Sequence, residues 1–83
     1  MRTAKRQTYG LAQIADRDGW RCHLCGLAVP KTRKVPHPKA ATVDHLLPLS
    51  AGGDDTPMNV SLAHFECNWK RGVGGVAQLR LIA

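Results

Sequence analysis

Two short spacings, far apart in the chain, limit most strongly what it can fold into: Cys22-His23-Leu24-Cys25-Gly26 and His64-Phe65-Glu66-Cys67. Two residues between cysteines let one turn direct both sulfurs at a single tetrahedral ion, and Gly26 relieves backbone crowding behind the second. The chain has 83 residues and only 5% aromatics, too little for a large core, so Tyr9, Trp20, Phe65 and Trp69 must each carry much of the packing. Domains of this size usually need a staple. Three cysteines cannot pair off completely as disulfides, so metal is the better candidate. Cys22, Cys25 and Cys67 leave a tetrahedron one ligand short, and His64, at i−3 from Cys67, is placed to complete a Cys₃His zinc set. A redox reading of the CxxC needs a βαβ context that is absent, and it leaves His64 and Cys67 unused. Zinc is worth about 10–16 kcal/mol of apparent binding energy in zinc-finger peptides, ample to hold a domain with little core.

The second concentration of chemistry runs over residues 43–72, VDHLLPLSAGGDDTPMNVSLAHFECNWKRG. Asp44-His45 ends a β-favouring run, Gly52-Gly53-Asp54-Asp55 makes a turn, and Asn59 precedes a second β-favouring run. Cys67-Asn68 follows, with Lys70 and Arg71 behind it. A base, a carboxylate, amides and cations held this close together are the inventory of a metal-dependent phosphodiesterase.

Order and spacing resemble the HNH endonuclease family, and the resemblance covers roughly residues 22–72, with CHLC as the first zinc pair. It implies a small α+β fold: a ββα-metal (His-Me) finger with a zinc-stapled core, an N-terminal helix and a long loop between the two site strands. Residues 1–83 would form one HNH nuclease domain, with the ββα-metal motif at 43–72. Asp44, His45, Asn59 and Asn68 fall on the family's positions. The implied general base is His45, with Asn59 pinning the loop and orienting it, although an Asn in a turn after Pro57 is the plainer reading of that residue alone. Asp44 and Asn68 supply the hard oxygens that Mg²⁺ or Mn²⁺ prefers, and Ni²⁺ is a further candidate. Many family members carry a second CxxC pair where this chain has His64 and Cys67. The departure leaves His64 readable also as an active-site histidine, with the structural zinc reading preferred. The acidic pair Asp54 and Asp55 is assigned to the turn, outside the site.

The implied activity is hydrolysis of phosphodiester bonds in double-stranded DNA, by nicking or cleavage, with little sequence preference, since no reader domain is evident. Family settings include phage DNA packaging, with packaging-motor proteins as partners, mobile elements and bacterial defence. A formal net charge of +6 suits a polyanionic partner. Lys70 and Arg71 suit phosphate anchoring, although each alone is more often a solvated charge. The alternative function is a non-catalytic zinc-stabilised nucleic-acid-binding module, which has no use for Asp44, His45 and Asn68. A monomer is the starting assumption.

Along the chain, residues 1–7 read as a basic lead-in, frayed or lying along phosphates. Helical spacing of Leu11, Ile14 and Ala15 follows a capping Thr8, and Asp18-Gly19 ends the helix. His23 reads as an exposed polar residue. Residues 27–41, rich in Pro and Lys, form an exposed loop, either a phosphate-contacting arm or a solvated insertion. Strands are expected at 41–45 and 60–64, joined by an Ω-type excursion that Leu46, Leu47, Leu49 and Met58 pack onto the core. A short helix from Phe65 to about Arg71 stops at Gly72, Gly74 and Gly75, and residues 76–82 make a small strand or docked tail. No apolar run approaches the ~20 residues of a membrane span. No hydrophobic segment follows Arg2, Lys5 and Arg6, so the N-terminus does not read as a signal peptide, and a cytoplasmic location in a bacterial or phage-infected cell is expected.

Overall fold

The computed structural model describes residues 4–72. Helix α1 (Leu11–Arg17) precedes strand β1 (Ala41–His45). Short 3₁₀ turns at Leu49–Ala51 and Pro57–Asn59 lead into strand β2 (Val60–His64), and residues 65–72 are helical (α2). The strands are antiparallel, Ala41 opposite His64, Val43 opposite Leu62 and His45 opposite Val60. This is the expected small α+β, ββα arrangement, with both strands on the residues read from the sequence. Gly72 is still helical. Gly74, Gly75 and the run 76–82 lie outside the described residues, as do positions 1–3.

α1 begins later than Thr8. Gly10 is its extended N-cap, and the Gln13 side chain reaches back to accept the Gly10 N–H at 3.4 Å. At the other end Gly19 is left-handed with φ +66°, and the Trp20 N–H closes onto the Ala15 carbonyl at 2.9 Å, the six-to-one bond that ends many helices. Ile14 and Ala15 are wholly buried, and α1 packs on both strands.

A two-stranded sheet leaves two open edges, and an open edge must be satisfied or shielded. On β2 this is done from outside the sheet. The Val60 carbonyl accepts from Arg17 at 2.7 Å and the Leu62 N–H donates to Asp18 at 2.8 Å. The Leu62 carbonyl accepts from the His23 N–H at 2.9 Å, and the His64 N–H points at the Cys22 sulfur, 3.4 Å away. The end of α1 and the CxxC turn thus stand where a third strand would. Arg17 also pairs with Asp18 at 2.7 Å, and the guanidinium holds the Asp18 carboxyl below the usual carboxylate range despite opposing burial.

The core is small: Ala15, Cys22, Val29, Leu62 and Ala63, with Trp20, Ala41 and Cys67 against it. Several apolar residues expected inside are outside. Leu46, Leu47 and Leu49 are 46%, 48% and 53% exposed, Met58 91% and Trp69 59%. The 46–59 loop is therefore held by polar and backbone contacts. Gly53 leaves no room for a side chain: a Cβ there would lie 1.9 Å from the Leu47 carbonyl oxygen, while Gly52 takes the left-handed φ of +87°. The first N–H groups of α2, which no intrahelical partner can reach, are met from the loop that leads into β1: Phe65 N–H bonds the Ala40 carbonyl at 2.7 Å and Glu66 N–H the Pro38 carbonyl at 2.9 Å. The N-terminal segment is not frayed over its described part. Asp55 N–H bonds the Lys5 carbonyl at 2.9 Å and Gln7 N–H bonds the Asp55 carbonyl at 3.0 Å, forming a parallel bridge at Arg6.

Candidate functional site

At one end of the strand pair, Cys22, Cys25, His64 and Cys67 bring their donor atoms within 4.8 Å of one another. The His64 Nδ1 stands 3.3 Å from the Cys25 sulfur and 3.8 Å from that of Cys67. A tetrahedral zinc with Zn–S near 2.3 Å and Zn–N near 2.0 Å would set sulfur–nitrogen edges of about 3.5 Å, so the cluster has the size of a zinc shell. The other ring nitrogen of His64, Nε2, lies 2.9 Å from the Ala28 carbonyl. A carbonyl only accepts, so Nε2 carries the proton and Nδ1 turns its lone pair to the sulfurs. His64 is 2% exposed: a buried imidazole with one nitrogen satisfied by backbone and the other among three thiols fits a ligand.

The thiols carry the same signature. Burial pushes Cys22 up, but the backbone N–H groups of His64, Cys25 and Leu24 and the Cys25 thiol outweigh it and bring it down to about 6. Burial together with the neighbouring Cys22 and Cys25 pushes Cys67 up to about 11. One thiolate forms easily and further ones resist unless a cation stands among them, the balance that zinc supplies. The Cys₃His set fits zinc.

The other end of β1 carries the remaining residues. Alternation along a strand sends neighbours to opposite faces; here, at the end of β1, Asp44 and His45 have separate partners. Asp44, 5% exposed, meets His23 Nε2 at 2.7 Å through one carboxylate oxygen and Arg71 Nη1 at 2.5 Å through the other. Arg71 further donates to the carbonyls of His45 at 3.1 Å and Leu46 at 3.2 Å, so it clasps the end of β1 from α2. Lys70 is exposed. Asn68, one turn before Arg71, donates its amide to the Val43 carbonyl at 3.0 Å and lies 3.2 Å from the Thr42 hydroxyl. Asp44 and Asn68 are hard oxygen donors, and a carboxylate keeps lone pairs beyond one bond per oxygen. In kind, they fit a divalent ion such as Mg²⁺ or Mn²⁺.

His45 faces the loop. Its Nε2 lies 2.9 Å from Asp55 Oδ1, and the same oxygen accepts from the Tyr9 hydroxyl at 2.5 Å. Hydrogen bonds from Tyr9 and then His45 hold the Asp55 carboxyl below its ordinary range. Burial and Asp55 push the Tyr9 phenol up to about 12. Asn59 makes three bonds inside the loop. Its Oδ1 accepts from Leu47 N–H at 3.0 Å, and its amide donates to the carbonyls of Leu47 at 2.9 Å and Asp54 at 2.7 Å.

The fold therefore joins Asp44 to the α2 residue Arg71, and sets Asn68 beside β1. Among the described residues no side-chain hydrogen bond joins Asp44 to His45, or Asn59 to the His45 ring. Two residues outside the predicted site touch the Asp-His pair: His23, read as an exposed polar residue and exposed in the structure, and Asp55, read as a turn residue. Both are tied to the Asp-His pair, and their acid–base type was the one available signal.

An HNH endonuclease family model matches residues 22–74, from the first cysteine of the cluster through the described end of α2. No curated protein and no solved structure gives a significant match. Among the described residues no helix is long and apolar enough to cross a membrane. A match over more than half the chain, beginning on the zinc-type cluster and spanning the ββα unit that carries Asp44, His45, Asn59 and Asn68, points to a nuclease-type domain: the chain belongs to the HNH endonuclease family.

Proposed function

We propose that this protein is an endonuclease that hydrolyses phosphodiester bonds of double-stranded DNA with little sequence preference. The observation that carries the reading is the end of β1, where Asp44 and His45 are held by α2 on one side and by the Asn59-pinned loop on the other, within an HNH family domain. His45 is the general base. It takes a proton from water as the water oxygen bonds to phosphorus. The bond from phosphorus to one sugar oxygen breaks, and that oxygen is protonated from solvent. A divalent ion held by Asp44 and Asn68 (Mg²⁺, Mn²⁺ or Ni²⁺) supplies positive charge against the charge developing on the phosphate. Zinc at Cys22, Cys25, His64 and Cys67 is structural and stays out of the reaction.

Net charge of +6 and the exposed Lys70 favour a phosphate backbone as partner. Arg71 serves the site by holding Asp44, and its contribution to DNA anchoring is secondary to that bond. Phage packaging-motor proteins are the candidate partners in a phage setting, with action in the cytoplasm as a monomer. The purified protein, incubated with supercoiled plasmid and Mg²⁺, Mn²⁺, Ni²⁺ or no divalent ion, tests the reading. Nicked and linear plasmid are expected only with added ion, and DNA affinity should fall steeply with salt. DNA binding without nicking under any ion would leave a zinc-stabilised binding module instead.

A further inference from the structure

We propose that Asp55 is a positioning residue for His45, fixing the ring so that Nε2 carries the proton and Nδ1 presents its lone pair to the attacking water. The inference rests on His45 being the base, and extends the site to a residue outside the Asp-His, Asn59 and Asn68 set.

Four contacts converge on Asp55. Its Oδ1 lies 2.9 Å from His45 Nε2 and accepts from the Tyr9 hydroxyl. Its own N–H and carbonyl are bonded to Lys5 and Gln7 at 2.9 and 3.0 Å. The carboxylate is thus fixed by its backbone and by a phenol on a distant part of the chain before it touches the imidazole. An ionised carboxylate only accepts, so the facing nitrogen must be the donor, and in a neutral ring this leaves Nδ1 as the acceptor. Arg6, with Nε 4.0 Å from the second oxygen and its side chain 88% exposed, adds little in water. Arg71 bonds the His45 carbonyl. The imidazolium formed on proton uptake would then sit against a fixed negative charge, as in an Asp-His pair of a hydrolase. On this view the segment 5–7 and Tyr9 support catalysis although neither needs to touch DNA.

The competing role is purely structural, a tie between the N-terminal segment and the loop. Asp55→Asn separates the two, because it keeps the shape and the main-chain bonds while losing the negative charge and the acceptor-only carboxylate: its amide can turn either oxygen or N–H₂ toward the two groups that now share Oδ1. With zinc-loaded protein and a short duplex, kcat should fall at least about tenfold with KM changed less than about twofold, short of the loss in His45→Ala. Nitrogen-15 NMR of the His45 ring should show one Nε2–H tautomer in the wild type and a mixture or the Nδ1–H form in the variant. Tyr9→Phe, which leaves the pair in place, should lose only about two- to fivefold. If His45→Ala is inactive while Asp55→Asn keeps wild-type kcat and the wild-type tautomer, the inference fails and the base assignment stands. If His45→Ala cleaves normally, both fail. A drop in melting temperature with unchanged kcat assigns Asp55 to structure alone and overturns the proposal.

Discussion

His64 and His45 stand at opposite ends of the same strand pair, one facing Ala41 across the ladder and the other facing Val60. Both rings place Nε2 on an oxygen. For His64 the oxygen is the neutral Ala28 carbonyl, the ring is buried, and Nδ1 turns to thiols. For His45 it is the Asp55 carboxylate, with the side chain 22% exposed. A neutral partner suits a ring that must stay neutral to hold a metal. A charged partner and an open face suit a ring that must gain and lose a proton. If the proposed roles hold, one scaffold uses the same hydrogen-bond geometry for a staple and for a base, and the partner oxygen makes the difference.

The sharpest way to break the comparison is at the staple. Strong chelation, or Cys22→Ala, should remove the fold and not merely activity, because the core beside the cluster is only a few small side chains and structural zinc is worth about 10–16 kcal/mol in comparable small domains. Circular dichroism with metal analysis reads this out, and one zinc per chain is expected. A chain that keeps its helix signal without zinc would overturn the staple assignment.

At the other end, effects should fall on rate before stability. Asn68 sits inside α2 and bonds β1, so it does not cap the helix. If its Oδ1 meets the catalytic ion, Asn68→Ala should lose most nicking, while Asn68→His should stay active and shift preference toward Ni²⁺, since imidazole suits softer ions than an amide oxygen does. Nicking rates across Mg²⁺, Mn²⁺ and Ni²⁺, with melting temperatures alongside, check this. If Asn68→Ala melts lower yet cleaves normally with every ion, the side chain is only a tie to β1.

The smallest effect belongs to the loop that carries Asp55. Gly53→Ala drives a Cβ against the Leu47 carbonyl, and the loop must shift at a cost of about 1–3 kcal/mol. Thermal melts should show that loss with zinc content unchanged, because the cluster lies at the far end of the strands. Loss of zinc in this variant would mean the two ends are more tightly coupled than the comparison holds.

What could be read from the sequence was mostly local. The strands, the CxxC turn, His64 beside Cys67 and the Gly52-Gly53 turn all declare themselves over a few residues, and all stand where expected. The helix start was misplaced because Gly10, with no side chain to announce a cap, does the work assigned to Thr8. The contacts of Asp55 and His23 are not legible in the sequence because their partners are distant: Tyr9 and Asp44 meet them only after the chain has folded back. The apolar loop residues and Trp69 were placed inside on hydrophobicity alone. Backbone bonds and Asn59 hold that loop instead, so its leucines and Met58 remain in solvent.

The most direct test of the account compares zinc-loaded wild type and His45→Ala, purified identically, on supercoiled plasmid with Mn²⁺ or Mg²⁺. The account predicts that the wild type nicks in proportion to protein and only with the ion. The variant should lose about 10²–10⁴-fold in rate while keeping its zinc, its melting temperature and its affinity for DNA. A variant that nicks at the wild-type rate, or a wild type that binds plasmid without ever cutting it, would contradict the assignment of His45 as the base.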